Sequence, residues 1–403
     1  MKPPPPRSIT TVAACACAAA LAVTLACGAR DGTVARRTLY FAGEPVARVE
    51  ERVSGGGGER RVTRTVVLEE SGDTSELVAT IDAQGFALSA RYTRGTLRRI
   101  ELADLAALAV ATGPPVVLID LLGAVQPLAP TAVLLVDLAS AEVLTGSVER
   151  RGAEIVALDA FRAVVARANV EGHRTGPGVF FEGDSVPATA RAPVHIEAAN
   201  PAGVRAWRLV GIGDTVAALA ADGPGQRRVG DVVVRAADAT LTPAPSSAVA
   251  PQPFIESTDT RVLAWASALA AGDDPMARAA RLVEAIHPLV DGAKGALPPG
   301  ALVMLERGGD CDGAAALLTA GLRALGTPAR PVVGYRWVEG RFLPHAWTEV
   351  WTPAGWLVAD ATVPRIGDDP SYLKLFEGLG GALTMGRVLG RLQVQPTTAP
   401  GAP

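Results

Sequence analysis

Three residues in the C-terminal third, Cys311, His345 and Asp360, are of the types that do chemistry together. A thiolate is a strong nucleophile. An imidazole holds its proton and later returns it to a leaving group, and a carboxylate fixes the imidazole's tautomer and orientation. Cys311 stands in Gly308-Gly309-Asp310-Cys311-Asp312-Gly313-Ala314-Ala315-Ala316-Leu317-Leu318, a loop that turns into a helix. The glycines permit the turn, Asp310 reads as the N-cap, and the partial positive charge of a helix start favours thiolate. Cys311, Ala315, Leu318, Leu322 and Leu325 share one helical face, so the thiol points with the apolar stripe toward whatever the helix packs on. His345 lies in the strand pattern Pro344-His345-Ala346-Trp347-Thr348-Glu349-Val350-Trp351, with His345, Trp347, Glu349 and Trp351 on one face. Trp356-Leu357-Val358-Ala359-Asp360 follows the turn Pro353-Ala354-Gly355, and in a hairpin Asp360 falls near His345 across the ladder. Taken singly, each residue has a bland reading: a small buried Cys, a core His, a turn-forming Asp. Their joint order on these elements points to a thiol enzyme.

The elements that must position these residues follow a proline- and alanine-rich linker at 242–253. Ser257-Thr258-Asp259 caps a helix running to about Ala271, and Asp274-Pro275 opens a second that ends near His287, a residue read as structural. Pro298 to Glu306 forms a third, and the Cys311 helix ends near Gly326. Three strands follow: Ala329 to Val338, Phe342 to Trp351 and Gly355 to Ala361. Upstream, 38–241 reads as a β-rich accessory domain. Strands are expected around Leu39–Val49, Arg61–Leu68, Ser75–Ile81, Phe86–Tyr92 and Leu97–Leu102, and within Pro193–Arg208 and Gln226–Leu241. Val116 to Ile155 is very apolar, but Asp120, Pro127, Pro130 and Asp137 interrupt it, which argues for buried strands and short helices over a membrane span. A short helix is expected over 155–169. His173 and His195 stand alone, and no His/Cys/Asp cluster has metal-ligand spacing.

The N-terminus is a targeting segment. Lys2 and Arg7 precede an apolar run from Thr11 to Ala26, too short to span a bilayer comfortably. Leu25-Ala26-Cys27-Gly28 resembles a bacterial lipobox, in which Cys27 becomes the lipidated first residue. The alternative is ordinary secretion with cleavage nearby. Either way the protein is expected to be exported to the periplasm or outer envelope. Cys15 and Cys17 are then lost with the signal, and Cys311 is the one thiol of the folded body, so the fold is not built on disulfides. The sequence divides into a signal at 1–27, a tether at 28–37, the accessory domain at 38–241, the linker at 242–253, the Cys311 domain at 254–385 and a disordered tail at 386–403. A net charge of −3 gives no electrostatic case for nucleic acid, and 49% hydrophobic with 20% charged residues describes a globular chain.

Gly309-Asp310-Cys311, Leu325-Gly326-Thr327-Pro328-Ala329-Arg330, Val333-Gly334-Tyr335, His345-Ala346-Trp347-Thr348-Glu349-Val350 and Trp356-Leu357-Val358-Ala359-Asp360 together resemble the bacterial transglutaminase-like family over roughly 253–380. The resemblance implies an α+β fold of papain-like type, helices packed on an antiparallel sheet, preceded here by the β-rich domain. It implies Cys311 as nucleophile, His345 as base and acid, Asp360 as its orienter, and the Cys311 backbone N–H as part of an oxyanion hole. No cofactor is implied, and without a calcium-site motif no calcium dependence is expected. The expected substrate is a protein or peptide, peptidoglycan peptides included, and the expected membrane contact is the lipid anchor on Cys27. Asp312-Gly313-Ala314 departs from the polar or His-containing run many relatives have after the Cys, and Ala361 stands where a Pro often follows the acid. Two other classes stay open: a catalytically inactive scaffold lipoprotein of the envelope, and a β domain that itself binds lipid or glycan.

Overall fold

The structure, a computed structural model, describes residues 33–106, 115–117, 132–169, 180–183, 193–236, 244–291 and 300–400, apart from a few positions inside those ranges. The expected signal segment, Cys27 and His173 lie outside the described residues.

The N-terminal part alternates with period two. Strands β1 (Thr33–Phe41), β2 (Glu44–Ser54), β3 (Arg60–Leu68), β4 (Thr74–Ile81), β5 (Ala87–Arg94) and β6 (Arg98–Glu101) form a meander. On β2, Ala47, Val49, Glu51 and Val53 are buried while Arg48 and Arg52 face solvent, as a sheet with one wet face requires. After α1 (Leu102–Ala106) come β7 (Pro115–Val117), β8 (Val133–Asp137), β9 (Glu142–Arg151), β10 (Glu154–Asp159), β11 (Val164–Asn169) and β12 (Phe180–Gly183). Among the described residues they complete a seven-stranded sheet, β12-β1-β2-β3-β4-β5-β6, and a five-stranded one, β11-β10-β9-β8-β7. The helix expected over 155–169 is therefore a hairpin of two strands. Residues 155–159 are buried throughout, and an apolar run buried on both faces shows no alternation to separate strand from helix.

Next come β13 (Ile196–Glu197), β14 (Ala206–Val210), β15 (Gln226–Val229) and β16 (Val232–Arg235). The helices are α2 (Thr260–Ala270), α3 (Pro275–Ile286), α4 (Ala301–Arg307) and α5 (Cys311–Ala324). Strands β17 (Ala329–Val338), β18 (Arg341–Thr352), β19 (Gly355–Asp360), β20 (Arg365–Ile366) and β21 (Tyr372–Glu377) follow, then α6 (Ala382–Met385) and β22 (Gln393–Pro396). The C-terminal domain is α+β: the antiparallel sheet β20-β19-β18-β17-β21, joined at β18 by β13, carries α5 on one side. α5 is not a one-striped helix. It is buried from Gly313 to Arg323 because α2, α3 and α4 cover the side turned away from the sheet.

Three stretches expected to be loose are docked. The end of the expected tether, 33–37, is the first half of β1 and pairs with β2 from Thr33↔Val53 to Arg37↔Val49, because it alternates like the strands that follow. In the expected linker, Ala248 is buried and the Ala250 carbonyl accepts from Arg323 Nη1 at 2.6 Å. In the expected disordered tail, β22 pairs with β14 from Trp207↔Pro396 to Val210↔Gln393. That register offers backbone partners to a segment whose composition predicts none. The two parts also share apolar core: Phe41, Val133, Trp207, Ala315, Tyr335, Phe342 and Leu373 belong to one buried cluster, with Trp207 edge-on to Phe342 at 5.6 Å. Among the described residues no helix is long and apolar enough to cross a membrane.

Candidate active site

Cys311 is the first residue of α5. The Asp310 side chain caps the helix by accepting from the Asp312 N–H at 3.2 Å, satisfying one of the open amides of the first turn. Gly308, at φ 72°, closes α4 and turns the chain into that cap. The Cys311 side chain is half-buried, and its Sγ donates to Asp312 Oδ1 at 3.8 Å. Among the described residues it is the one cysteine, and it forms no disulfide. The small residue at 313 has a packing cause: a Cβ there would stand 3.1 Å from the Met304 sulfur of α4.

His345 comes from the middle of β18 and Asp360 from the last position of β19. The register runs from Thr352↔Gly355 to Thr348↔Ala359. Asp360 lies one residue beyond the last pair, diagonal to His345 on the same face. Its Oδ2 meets His345 Nε2 at 2.7 Å. The Cys311 side chain is within hydrogen-bonding reach of the same imidazole. The structure thus brings the three sequence-predicted residues together. His195 is elsewhere, beside Glu197, and His287 Nδ1 bonds the Ala361 carbonyl at 3.1 Å.

Burial, the largest single effect, works against charge on His345, and the Asp360 carboxylate opposes it. With the hydrogen bonds to Asp360 and Cys311 added, the imidazole is pushed up to about 10. Burial likewise works against the Asp360 carboxylate, but His345, Tyr372 and the Thr362 amide hold it below the usual value. The carboxyl group, 1% exposed, is fully partnered. Its Oδ1 accepts from Thr362 N at 2.8 Å and Val363 N at 3.3 Å, and its Oδ2 takes a second donor, Tyr372 Oη, at 2.7 Å.

Tyr372 is the functional neighbour that sequence reasoning missed. It lies on β21, where no strand was expected, because Tyr372 to Phe376 are all buried and show no alternation. Its place depends on Gly334, opposite His345 on β17, where a Cβ would stand 2.1 Å from the Leu373 carbonyl oxygen. Trp347 lies against His345 at 6.3 Å and edge-on to Tyr372 at 5.1 Å. Further along the same face, Glu349 accepts from Arg330 Nε at 2.7 Å and Lys374 Nζ at 2.9 Å, which ties β17, β18 and β21 together. Among the described residues no group of three or more His, Cys, Asp or Glu is placed to hold a metal ion.

Residues 265–361 match the family model of the transglutaminase-like superfamily. This part of the chain is a transglutaminase-like domain, and Cys311, His345 and Asp360 all fall inside the matched span. None of the curated proteins matches the chain. The solved structures that align with it at low similarity include the following three. A candidate cysteine protease from Cytophaga hutchinsonii is 19% identical, with a TM-score of 0.32 over 41% of this chain. The chain spans 60% of that protein's length. The periplasmic domain of TgpA from Pseudomonas aeruginosa, solved bound to ethylmercury, is 18% identical, with a TM-score of 0.27 over 64% of this chain and 93% of that one. A candidate protease from Parabacteroides distasonis is 9% identical, with a TM-score of 0.24 over 86% and 71%. These likenesses concern the fold and carry no weight on activity.

Proposed function

We propose that the C-terminal domain is a cysteine hydrolase acting on amide bonds of proteins or peptides. The observation that carries this is the His345 imidazole, anchored through Nε2 by a buried carboxylate and acted on by the Cys311 thiol. In this reading Cys311 Sγ attacks the amide carbonyl carbon while His345 holds the thiol proton. The C–N bond breaks, the amine leaves with that proton, and a thioester remains on Cys311. His345 then takes a proton from water, whose oxygen attacks the thioester. The acid departs and the thiol is restored. Hydrolysis is preferred over transfer to an amine because water is always at hand, whereas an amine acceptor needs a shielded subsite. Asp360 orients the imidazole in both halves. The N-terminal signal and the lipobox-like Leu25-Ala26-Cys27-Gly28 support export and lipid anchoring at Cys27, with envelope peptides as the accessible substrates.

The test compares wild type with Cys311→Ala and His345→Gln on envelope peptides and peptidoglycan fragments. Amide cleavage with a trapped Cys311 thioester, lost in both variants, is expected. No cleavage by wild type, with Cys311 alkylated no faster than an ordinary thiol, would favour the inactive scaffold.

A further inference from the structure

Asp360 Oδ2 receives two donors at the same distance, His345 Nε2 and Tyr372 Oη, each at 2.7 Å. The arrangement is built. Tyr372 is 3% exposed, its carbonyl accepts from Arg235 Nη1 at 3.1 Å, and the Arg336 guanidinium lies 5.9 Å from its ring. Its ring packs on Trp347 and lies 6.2 Å from His345. A phenol there has one direction in which to act. Burial, and then the Asp360 carboxylate, hold its proton on far more firmly than in free tyrosine, so it stays a donor.

We propose that Tyr372 is a positioning residue of this site, which locks the Asp360 carboxylate toward His345 and, by sharing its oxygen, sets how firmly the imidazole keeps its proton. The inference rests on the Cys311–His345 reading above. Two donors on one oxygen divide its charge, so each draws less than it would alone. Removal of the Tyr372 hydroxyl leaves Asp360 held at Oδ1 by two backbone amides but more basic at Oδ2, and the imidazolium tighter. The other titratable or charged groups around the pair are Cys311 and Asp312 from α5, His287 from the end of α3, Arg336 from β17, Asp369 before β21, whose charge acts on Tyr372, and Arg365, which stands opposite Asp360 on β20 but is turned to Asp369 at 2.8 Å. None of these donates to Oδ2.

The test is the pH dependence of Cys311 alkylation by iodoacetamide in the full chain, followed by peptide-resolved mass spectrometry. Wild type is expected to react fast over a plateau bounded by an alkaline limb where the imidazolium loses its proton. Tyr372→Phe keeps the ring and is expected to move that limb up by about half a pH unit, which corresponds to ~0.7 kcal/mol. A second probe, 3-fluorotyrosine at position 372, keeps fold and hydroxyl and makes the donor stronger, so the limb is expected to move down. Opposite shifts are something a space-filling tyrosine does not produce. Profiles of both variants that superimpose on wild type, or that move the same way, overturn the proposal. If wild type itself shows no alkaline limb, and His345→Gln superimposes on it, the underlying reading fails instead.

Discussion

Glu51 in the N-terminal sheet and Asp360 in the C-terminal sheet are both nearly sealed from water, 3% and 1% exposed, and each has a basic side chain nearby. Their surroundings treat them in opposite ways. Asp360 has four donors, two of them backbone amides fixed by the turn after β19, and its carboxyl group is held below the usual value. Glu51 stands opposite Arg64 in the β2–β3 register, but at 3.9 Å, while Arg64 Nη2 turns to Glu182 Oε2 at 2.8 Å. Glu51 Oε2 has no hydrogen-bond partner among the described residues. Burial pushes Glu51 up to about 8, with Arg64 pulling it down and Glu182 up. A buried acid stays charged when hydrogen bonds replace its hydration, and takes up a proton when the nearby cation is committed elsewhere. The first is the condition for orienting an imidazole, and the second stores pH sensitivity in the sheet.

The largest contrast is expected from paired amide substitutions. Asp360→Asn should slow Cys311 alkylation at neutral pH on the order of 100-fold, because the amide no longer stabilises the imidazolium. Glu51→Gln should leave that rate unchanged. Equal effects on the rate would break the distinction between the two sites.

Stability against pH gives the next contrast. A carboxyl group raised from 4.5 to about 8 contributes stability that is whole below pH 4.5 and lost as pH rises toward 8. An imidazole raised from 6.5 to about 10 contributes stability present below 6.5 and lost as pH rises toward 10. Asp360 has the opposite sign: its share is present above 3.8 and lost as pH falls through its lowered value. Urea unfolding of wild type should therefore weaken by about 2–3 kcal/mol from pH 4.5 to 6.5. Glu51→Gln should flatten that segment, and His345→Gln should flatten the segment from pH 8 to 10.

Gly334→Ala tests whether the C-terminal site depends on β21. The added Cβ meets a backbone oxygen, so strand β21 must move, with a loss of about 1–3 kcal/mol in urea unfolding and slower alkylation. Stability loss with an unchanged rate would separate Tyr372 from the site. The smallest effect is expected from Asp312→Asn. Removing a half-buried carboxylate 3.8 Å from the sulfur should speed alkylation at pH 6 by about two- to threefold, since near-surface charge pairs are worth only about 0.2–1 kcal/mol.

Much of the C-terminal domain was legible because its signals are local. Asp310 caps α5, Asp274 and Pro275 open α3, and the alternation in β18 puts His345, Trp347 and Glu349 on one face. A short turn after β18 then brings Asp360 back toward His345 in one step, so two of the three reactive types were joined by sequence proximity alone. The β meander at the N-terminus was legible for the same reason, since each buried position is followed by one that faces out.

What the sequence could not hold is whatever depends on partners distant in the chain. The hairpin at β10 and β11 has the sequence of a helix as readily as of strands, because apolar residues buried on both faces carry no period. The tail and linker looked loose because their composition lacks apolar runs, yet β14 and Arg323 supply partners for their backbone. Tyr372 is the sharpest case. Nothing in its own strand marks it, and it reaches Asp360 only because β21 folds back onto β17, where Gly334 leaves room for its backbone. The residue types and their order determined what chemistry the chain offers. The tertiary structure decided how the acid is held, because the donors on Asp360 come from separate elements whose meeting is fixed by packing and strand register.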